Sequence, residues 1–150
     1  MVTTSGAHLE QLANVPLFSA CSKRELRLIL DRGERVQVAA GRRLIREGDI
    51  GWMFFVVLSG AVEVKKRSQV LASLEEGEHF GELALLGRGQ RSATVVATVP
   101  TEVFCLVGSA FDQLLSDVPA LGKNLLAGLA RRVVELEDAL LSLTHRRARS

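Results

Sequence analysis

Residues 34–106 consist of short segments rich in valine, isoleucine and phenylalanine, which are separated by glycines. These glycines are Gly41, Gly48, Gly51, Gly60, Gly77, Gly81, Gly87 and Gly89. Glycine tolerates the backbone angles of tight turns, and turns about every ten residues are typical of hairpins between short strands. Within residues 61–66, Val62 and Val64 alternate with charged residues, which predicts a strand with one buried face and one face in water. The pattern therefore restricts the middle of the chain to an antiparallel sandwich, a jelly roll or a small barrel.

Helical patterns flank this strand-rich region, and the first of them follows Ser22. Ser22 and Glu25 have the spacing of a capping box, and apolar residues then recur at helical intervals until Gly33. We therefore expect an N-terminal helix that ends at Gly33. Residues 1–8 are expected to form an N-terminal tail.

The second helical pattern begins at Pro119 and continues to Leu143, with Gly122 and Gly128 as its weakest helix formers. The uninterrupted part of this helix, from Leu121 to Leu143, is about 34 Å long at about 1.5 Å per residue. We therefore expect a long C-terminal helix. The remaining residues, 144–150, are expected to form a short basic tail.

Composition and charge narrow the possible class of protein. The chain has 150 residues, of which 47% are apolar and 24% are charged, so one folded domain with its own core is expected. Lys and Arg outnumber Asp and Glu by 19 to 17, which does not require a nucleic-acid partner. The longest apolar run, 52–58, is far shorter than the roughly 20 residues of a membrane span, and the first eight residues lack the features of a secretory signal. We expect a cytoplasmic protein with no membrane partner.

The cysteines and histidines do not have the spacing of a metal site. Cys21 and Cys105 are isolated, so they form neither a zinc motif nor a disulfide framework and are expected to be buried free thiols. The three histidines, His8, His79 and His145, are scattered along the chain. No metal, no cofactor and no catalytic residue is predicted, and an enzyme of the cupin type is disfavoured because it needs clustered histidines with a carboxylate.

The segment of residues 80–95 carries the clearest chemical signal. Gly81 allows a close approach of the backbone, and free amide groups at the start of a helical turn attract an anion. The Arg91 guanidinium can hold a phosphate through two parallel hydrogen bonds, with the Ser92 hydroxyl as a further donor. The Glu82 carboxylate cannot bind phosphate, but it can accept a hydrogen bond from a sugar hydroxyl. Together these groups suit a sugar phosphate with a free hydroxyl.

The same segment resembles the phosphate-binding cassette of the cyclic-nucleotide-binding domain family, which includes the catabolite activator protein, kinase regulatory subunits and cyclic-nucleotide-gated channels. Other segments resemble that family too, and the resemblance covers about residues 9–143. They are residues 15–18 before the first helix, Gly41 and residues 46–49 at early strand turns, and residues 53–57 with Gly60 in the central strands.

The resemblance implies a role for each residue of the cassette. Glu82 would hold the ribose 2′-hydroxyl group, and Arg91 would pair with the cyclic phosphate. Ser92 would contact the phosphate or the base. Backbone groups would come from Gly81, Leu83 and Ala84. Because serine, rather than threonine, follows the arginine, the resemblance favours cyclic AMP modestly over cyclic GMP.

The resemblance also implies the fold: mainly β with flanking helices, namely a double-stranded β-helix, or jelly-roll-like β-roll, over residues 34–108 between an N-terminal helix and a long C-terminal helix. The chain departs from the family's pattern at residues 48–53. That loop is one residue shorter than usual and has Trp52 where a polar residue is common. The geometry of this loop is therefore less predictable than that of the cassette.

Several of these residues also have simpler explanations. Glu82 and Arg91 could pair with each other as a surface ion pair worth about 0–1 kcal/mol. Val62, Val64 and Leu74 are first of all candidates for the sheet core, although Val64 is also a candidate contact for the nucleotide base.

The C-terminal helix has an apolar seam with heptad spacing. Its residues are Leu126, Leu129, Val133, Leu136, Leu140 and Leu143. Such a seam can pair with a second copy of the helix in a homodimer, or it can fold back on the β-roll. By resemblance to channel domains, Arg131 could close over the base, while an ion pair with Glu135 is the plainer alternative.

We therefore predict a stand-alone regulatory module that binds cyclic AMP, and possibly cyclic GMP, and signals by moving its C-terminal helix. No DNA-binding domain is expected in this chain, because a winged helix would need about 70 further residues. Two alternatives remain open: a dimerisation module with a vestigial nucleotide pocket, and the sensor part of a larger regulator, transporter or channel.

Overall fold

The computed structural model describes residues 4–82 and 91–148. The N-terminal part consists of helix α1 (Thr4–Ala13), a short 3-10 helix (Pro16–Phe18) and helix α2 (Lys23–Arg32). Helix α1 begins at Thr4, so residues 4–8 are helical and not part of the predicted tail. The physical reason is the burial of Leu9 and Leu12, which anchor the helix to the core and allow the preceding turn to form.

Helix α2 confirms the predicted capping box. The Glu25 amide donates to the Ser22 hydroxyl oxygen at 3.1 Å, and the Ser22 amide donates to the Glu25 carboxylate at 2.9 Å. The two bonds satisfy amide groups that the first helical turn leaves without partners. The helix ends at Arg32, directly before Gly33, as predicted.

The described residues form eight strands in two four-stranded antiparallel sheets, with the strand orders β1-β8-β3-β6 and β2-β7-β4-β5. The strands are β1 (Glu34–Val38), β2 (Arg43–Ile45), β3 (Met53–Ser59), β4 (Ala61–Lys66), β5 (Gln69–Glu75), β6 (His79–Phe80), β7 (Thr94–Ala97) and β8 (Thr101–Val107). The two sheets face each other as a jelly-roll-like β-roll, which confirms the predicted fold class.

Strand β3 is apolar from Met53 to Leu58 because both of its faces are covered there. Phe54, Val56 and Leu58 face a core that the roll shares with the N-terminal and C-terminal helices. Phe55 and Val57 face the interior of the roll, between the two sheets. Residues 53–58 of the apolar run therefore form a doubly covered strand, whereas Trp52 precedes it and is exposed.

Two helices follow the roll: α3 (Gly108–Asp117) and α4 (Pro119–Ala148). Helix α4 extends five residues beyond the predicted end at Leu143, so residues 144–148 are helical and not a separate tail. No proline or glycine interrupts these residues, and their basic side chains favour the negative end of the helix dipole. Leu121 and Leu125 are buried, whereas every residue from 130 to 148 is exposed.

Neither cysteine forms a disulfide in the structure. Cys105 is buried in the roll, and burial, followed by the nearby Glu34 carboxylate, raises the pKa of its thiol to about 11. Cys21 is only half-buried, which is less than the sequence analysis expected. Among the described helices, none is both long enough and apolar enough to cross a membrane.

Candidate functional site

Gly81 places the backbone of the site at the end of strand β6. Its φ angle of 97° lies in the left-handed region, which favours glycine. A Cβ atom at this position would lie 2.8 Å from the Met53 carbonyl oxygen and 3.1 Å from the Arg91 Nη1 atom. Both the backbone angle and the close contacts therefore require glycine here.

Arg91 is held from three sides by the backbone of the roll. Its Nη1 atom donates to the Gly81 carbonyl at 2.8 Å, and its Nη2 atom donates to the Met53 carbonyl at 2.5 Å. Its own amide donates to the Asp49 carbonyl at 2.6 Å, while its carbonyl accepts from the Gly48 amide at 2.8 Å. The guanidinium is thus fixed in place by backbone groups that carry no net charge.

The Arg91 side chain is also buried, with only 7% of the residue exposed. Within the part of the chain that the structure describes, no carboxylate lies within 4.0 Å of its guanidinium. Burial lowers the pKa of Arg91, and the more distant charge of Glu82 opposes that shift. A buried cation without a direct counter-ion attracts an anion to the space beside it.

Glu82 is buried even more completely, with 1% of the residue exposed. Its Oε1 atom accepts a hydrogen bond from Arg132 Nη1 at 3.1 Å. Its Oε2 atom lies 3.4 Å from Nδ1 of His79 but, among the described residues, accepts no hydrogen bond. The carboxylate therefore has one oxygen available for a further donor.

The pKa of Glu82 is lowered from its ordinary value of 4.5. Burial raises this pKa, but the interactions with His79, the residue's own amide and the charge of Arg132 together outweigh burial. Glu82 therefore remains ionised at neutral pH and can accept a hydrogen bond from a hydroxyl group. The simpler alternative, a direct Glu82–Arg91 ion pair, is not formed, and Glu82 pairs with Arg132 instead.

These groups line one cavity at the open side of the roll. Its lining residues are Ile45, Val64, Leu74, Phe80, Gly81, Glu82, Arg91, Ser92, Ala93, Val95 and Arg132. The structure thus brings together five of the predicted site residues, namely Val64, Gly81, Glu82, Arg91 and Ser92. Predicted contacts of Leu83 and Ala84 lie outside the described residues. The lining combines apolar residues such as Val64 with the charged residues Glu82, Arg91 and Arg132.

The C-terminal helix contributes Arg132 to this cavity, whereas Arg131, which the sequence analysis singled out, lines only a neighbouring groove. The sequence contained only a partial signal for Arg132. It follows Leu125 by seven residues and Leu129 by three, and residues at these intervals share a helix face. The structure shows that this face carries the buried Leu125 and the half-buried Leu129. His79 was also overlooked, although it precedes Glu82 by three residues.

Such a site defines a β-roll domain built to hold a small anionic ligand that also carries a hydroxyl group. Residues 35–118 match the model of the family described as the cyclic nucleotide-binding domain. The chain belongs to this family.

Known relatives and structures agree with this assignment. The chain is 34% identical to the cyclic AMP receptor protein of Thermus thermophilus over 140 residues, which are 90% of this chain and 65% of that protein. It is 37% identical over 108 residues to the cAMP-dependent protein kinase regulatory subunit of Eremothecium gossypii, covering 71% of this chain and 24% of that one. A solved structure of cAMP-bound PfPKA-R matches with a TM-score of 0.76 and 27% sequence identity. The match covers 91% of this chain and 46% of that chain.

The chain thus spans about two thirds of one curated relative and about a quarter of the other. What it shares with them is the ligand-binding domain.

Proposed function

We propose that this chain is a non-catalytic regulatory module that binds cyclic AMP, with weaker binding of cyclic GMP. The proposal is based on two buried charged groups that line one cavity, the Arg91 guanidinium and the Glu82 carboxylate. The Arg91 guanidinium has no carboxylate partner within 4.0 Å among the described residues, and Oε1 of the buried Glu82 carboxylate is bonded only to Arg132, a half-exposed side chain that a ligand can replace. A cyclic phosphate supplies the missing anion, and a ribose 2′-hydroxyl supplies a donor that can take the place of Arg132 at Oε1.

The remaining cavity wall suits a nucleobase. Val64 and Leu74 offer an apolar surface, and the exposed Ser92 lines the same cavity. Apolar contact discriminates poorly between purines, because every base has an apolar face. We therefore expect cyclic AMP to be preferred by less than tenfold over cyclic GMP.

Helix α4 is the proposed output element. It contacts the site through the Arg132–Glu82 pair, so a ligand hydroxyl at Glu82 competes with the group that connects the helix to the roll. A ligand shifts a two-state element only by its differential affinity for the two states, and this competition supplies such a difference. Gly122 and Gly128 lower the helix propensity of the first half of α4 by about 1 kcal/mol each relative to alanine, which favours bending there.

The exposed seam of α4 supports a second part of the proposal, a homodimer. Most of its members are more than half exposed, namely Leu126, Val133, Leu136, Leu140 and Leu143. Apolar residues at heptad spacing bury one another when two such helices pair. Sedimentation of the parent chain and of Leu136→Glu tests this: a dimer that the charge disrupts is expected, and a monomeric parent at all concentrations contradicts it.

Calorimetric titration of the chain with cyclic AMP and with cyclic GMP tests the main proposal. Binding of cyclic AMP at micromolar affinity or better, about 8 kcal/mol, is expected. Absence of heat with both nucleotides, or a preference for cyclic GMP of tenfold or more, contradicts it. Inorganic phosphate and adenosine serve as control ligands, since each satisfies only one half of the site.

A further inference from the structure

The imidazole of His79 lies directly against the carboxylate that faces the cavity. His79 Nδ1 and Glu82 Oε2 are 3.4 Å apart, and both atoms are buried. Within the described residues neither atom has a hydrogen-bond partner. These two buried polar atoms are close to hydrogen-bonding distance, because a shift of a few tenths of an ångström completes a hydrogen bond between them.

The His79 ring packs against the core that the roll shares with the helices. Strand pairing places His79 opposite Val56 and Phe80 opposite Phe55 on strand β3. The ring lies 5.5 Å from the ring of Phe54, which is fully buried and itself stacks on Phe111 at 4.7 Å. A side chain supported in this way can orient a neighbouring group with little loss of its own freedom.

The two oxygens of Glu82 therefore have different surroundings. Oε2 faces the rigid imidazole, whereas Oε1 faces Arg132 of helix α4, a side chain that is 44% exposed. Other charged groups along the groove beside His79 are Glu78 of the preceding turn and Arg131 and Glu135 of helix α4. Among the described residues of the β-roll, His79 has a side-chain nitrogen within 4 Å of the Glu82 carboxylate.

We infer that His79 is a positioning residue for nucleotide binding: it holds Oε2 of Glu82 by donation from Nδ1 and thereby directs Oε1 towards the ligand hydroxyl. This inference rests on the proposed function, since it assigns a role to the carboxylate that would hold the ribose. It predicts that loss of the imidazole affects recognition of the hydroxyl group and leaves recognition of the phosphate unchanged.

The test is a set of titrations of the full chain with cyclic AMP and with 2′-deoxy cyclic AMP. His79→Leu removes the donor and retains an apolar side chain over Phe54. His79→Asn places an amide donor near the position of Nδ1, whereas His79→Gln places it nearer that of Nε2. We expect His79→Leu and His79→Gln to lower the affinity for cyclic AMP by roughly threefold to tenfold, and His79→Asn to lower it by less than about twofold. The affinity for 2′-deoxy cyclic AMP should change by less than about twofold in all three variants.

The outcomes separate this inference from the proposed function. If the parent chain binds both nucleotides equally, Glu82 does not hold the hydroxyl and the proposed function fails in that respect. If the parent discriminates between them and His79→Leu discriminates equally well, the positioning role of His79 is contradicted. If His79→Leu does not fold, as judged by circular dichroism, the contrast between His79→Asn and His79→Gln decides in the same way, and equal affinities for these two variants contradict the inference.

Discussion

Two arginines approach the cavity, one from the β-roll and one from the C-terminal helix, and different groups hold them. Arg91 donates to two backbone carbonyls and is 7% exposed. Arg132 donates to the Glu82 carboxylate, and its side chain is 44% exposed. Backbone carbonyls of a sheet cannot move aside for a ligand, whereas a half-exposed side chain on a helix can exchange one partner for another.

This difference separates a fixed part of the site from an exchangeable part. The roll side is organised before the ligand arrives, so its contribution appears as affinity. On the helix side, the proposed exchange of Arg132 for a ligand hydroxyl at Glu82 would appear as a signal. Substitutions on the two sides are therefore expected to differ in the size of their effect on affinity and in whether they change affinity or signalling.

The largest effect is expected for Arg91→Ala. Removing one partner of a buried charge pair costs about 2–5 kcal/mol, so the affinity for cyclic AMP should fall by roughly thirtyfold or more. Calorimetric titration measures the loss, and Arg27→Ala on the exposed face of helix α2 is the matched control, with an unchanged affinity. A loss of less than tenfold for Arg91→Ala would overturn its assignment as the phosphate-binding group.

A smaller effect is expected for Glu82→Gln. The amide retains an acceptor oxygen but lacks the strength of a charged one, so the affinity for cyclic AMP should fall by roughly threefold to tenfold. Binding of 2′-deoxy cyclic AMP should stay within about twofold of the parent value, because this ligand lacks the hydroxyl group. An equal loss for both ligands would show that Glu82 does not act through the 2′-hydroxyl.

Arg132→Ala and Arg131→Ala form a matched pair on one helix. In the structure Arg132 donates a hydrogen bond to the Glu82 carboxylate. An ion pair with a half-exposed partner contributes about 0–1 kcal/mol of interaction free energy. Its removal should therefore raise the affinity for cyclic AMP by up to about fivefold, while Arg131→Ala should change it by less than about twofold. If Arg132→Ala instead weakens binding, Arg132 contacts the nucleotide directly and does not compete with it.

Hydrogen exchange should reveal the smallest change, a redistribution of protection along helix α4. We expect amides of residues 120–143 to change their exchange rates when cyclic AMP binds, because the ligand alters the contact between Arg132 and Glu82. The Arg132→Ala variant should show this response only weakly. A response confined to residues 80–95 in the parent chain would reject the helix as the output element.

The local patterns of the sequence were sufficient to predict most elements of the fold. Glycine spacing predicted the strand-rich centre, because tight turns need particular backbone angles wherever they occur. The Ser22–Glu25 spacing predicted the start of helix α2, because a capping box involves only neighbouring residues. The cassette residues that line the cavity were likewise found through short-range spacing, with Gly81 and Arg91 ten residues apart.

Only the tertiary structure decided what meets Glu82. Arg131 and Arg132 are adjacent in the chain, and a rotation of about 100° per residue separates their directions. Which of them reaches the cavity depends on how the burial of Leu121 and Leu125 rotates helix α4 against the roll. The contact of His79 with Glu82 also depends on the tertiary structure, because strand pairing and the ring of Phe54 place the imidazole against the Glu82 carboxylate. The sequence by itself determined the cassette groups of the site, whereas packing between distant segments added Arg132 and His79 and determined which groups touch.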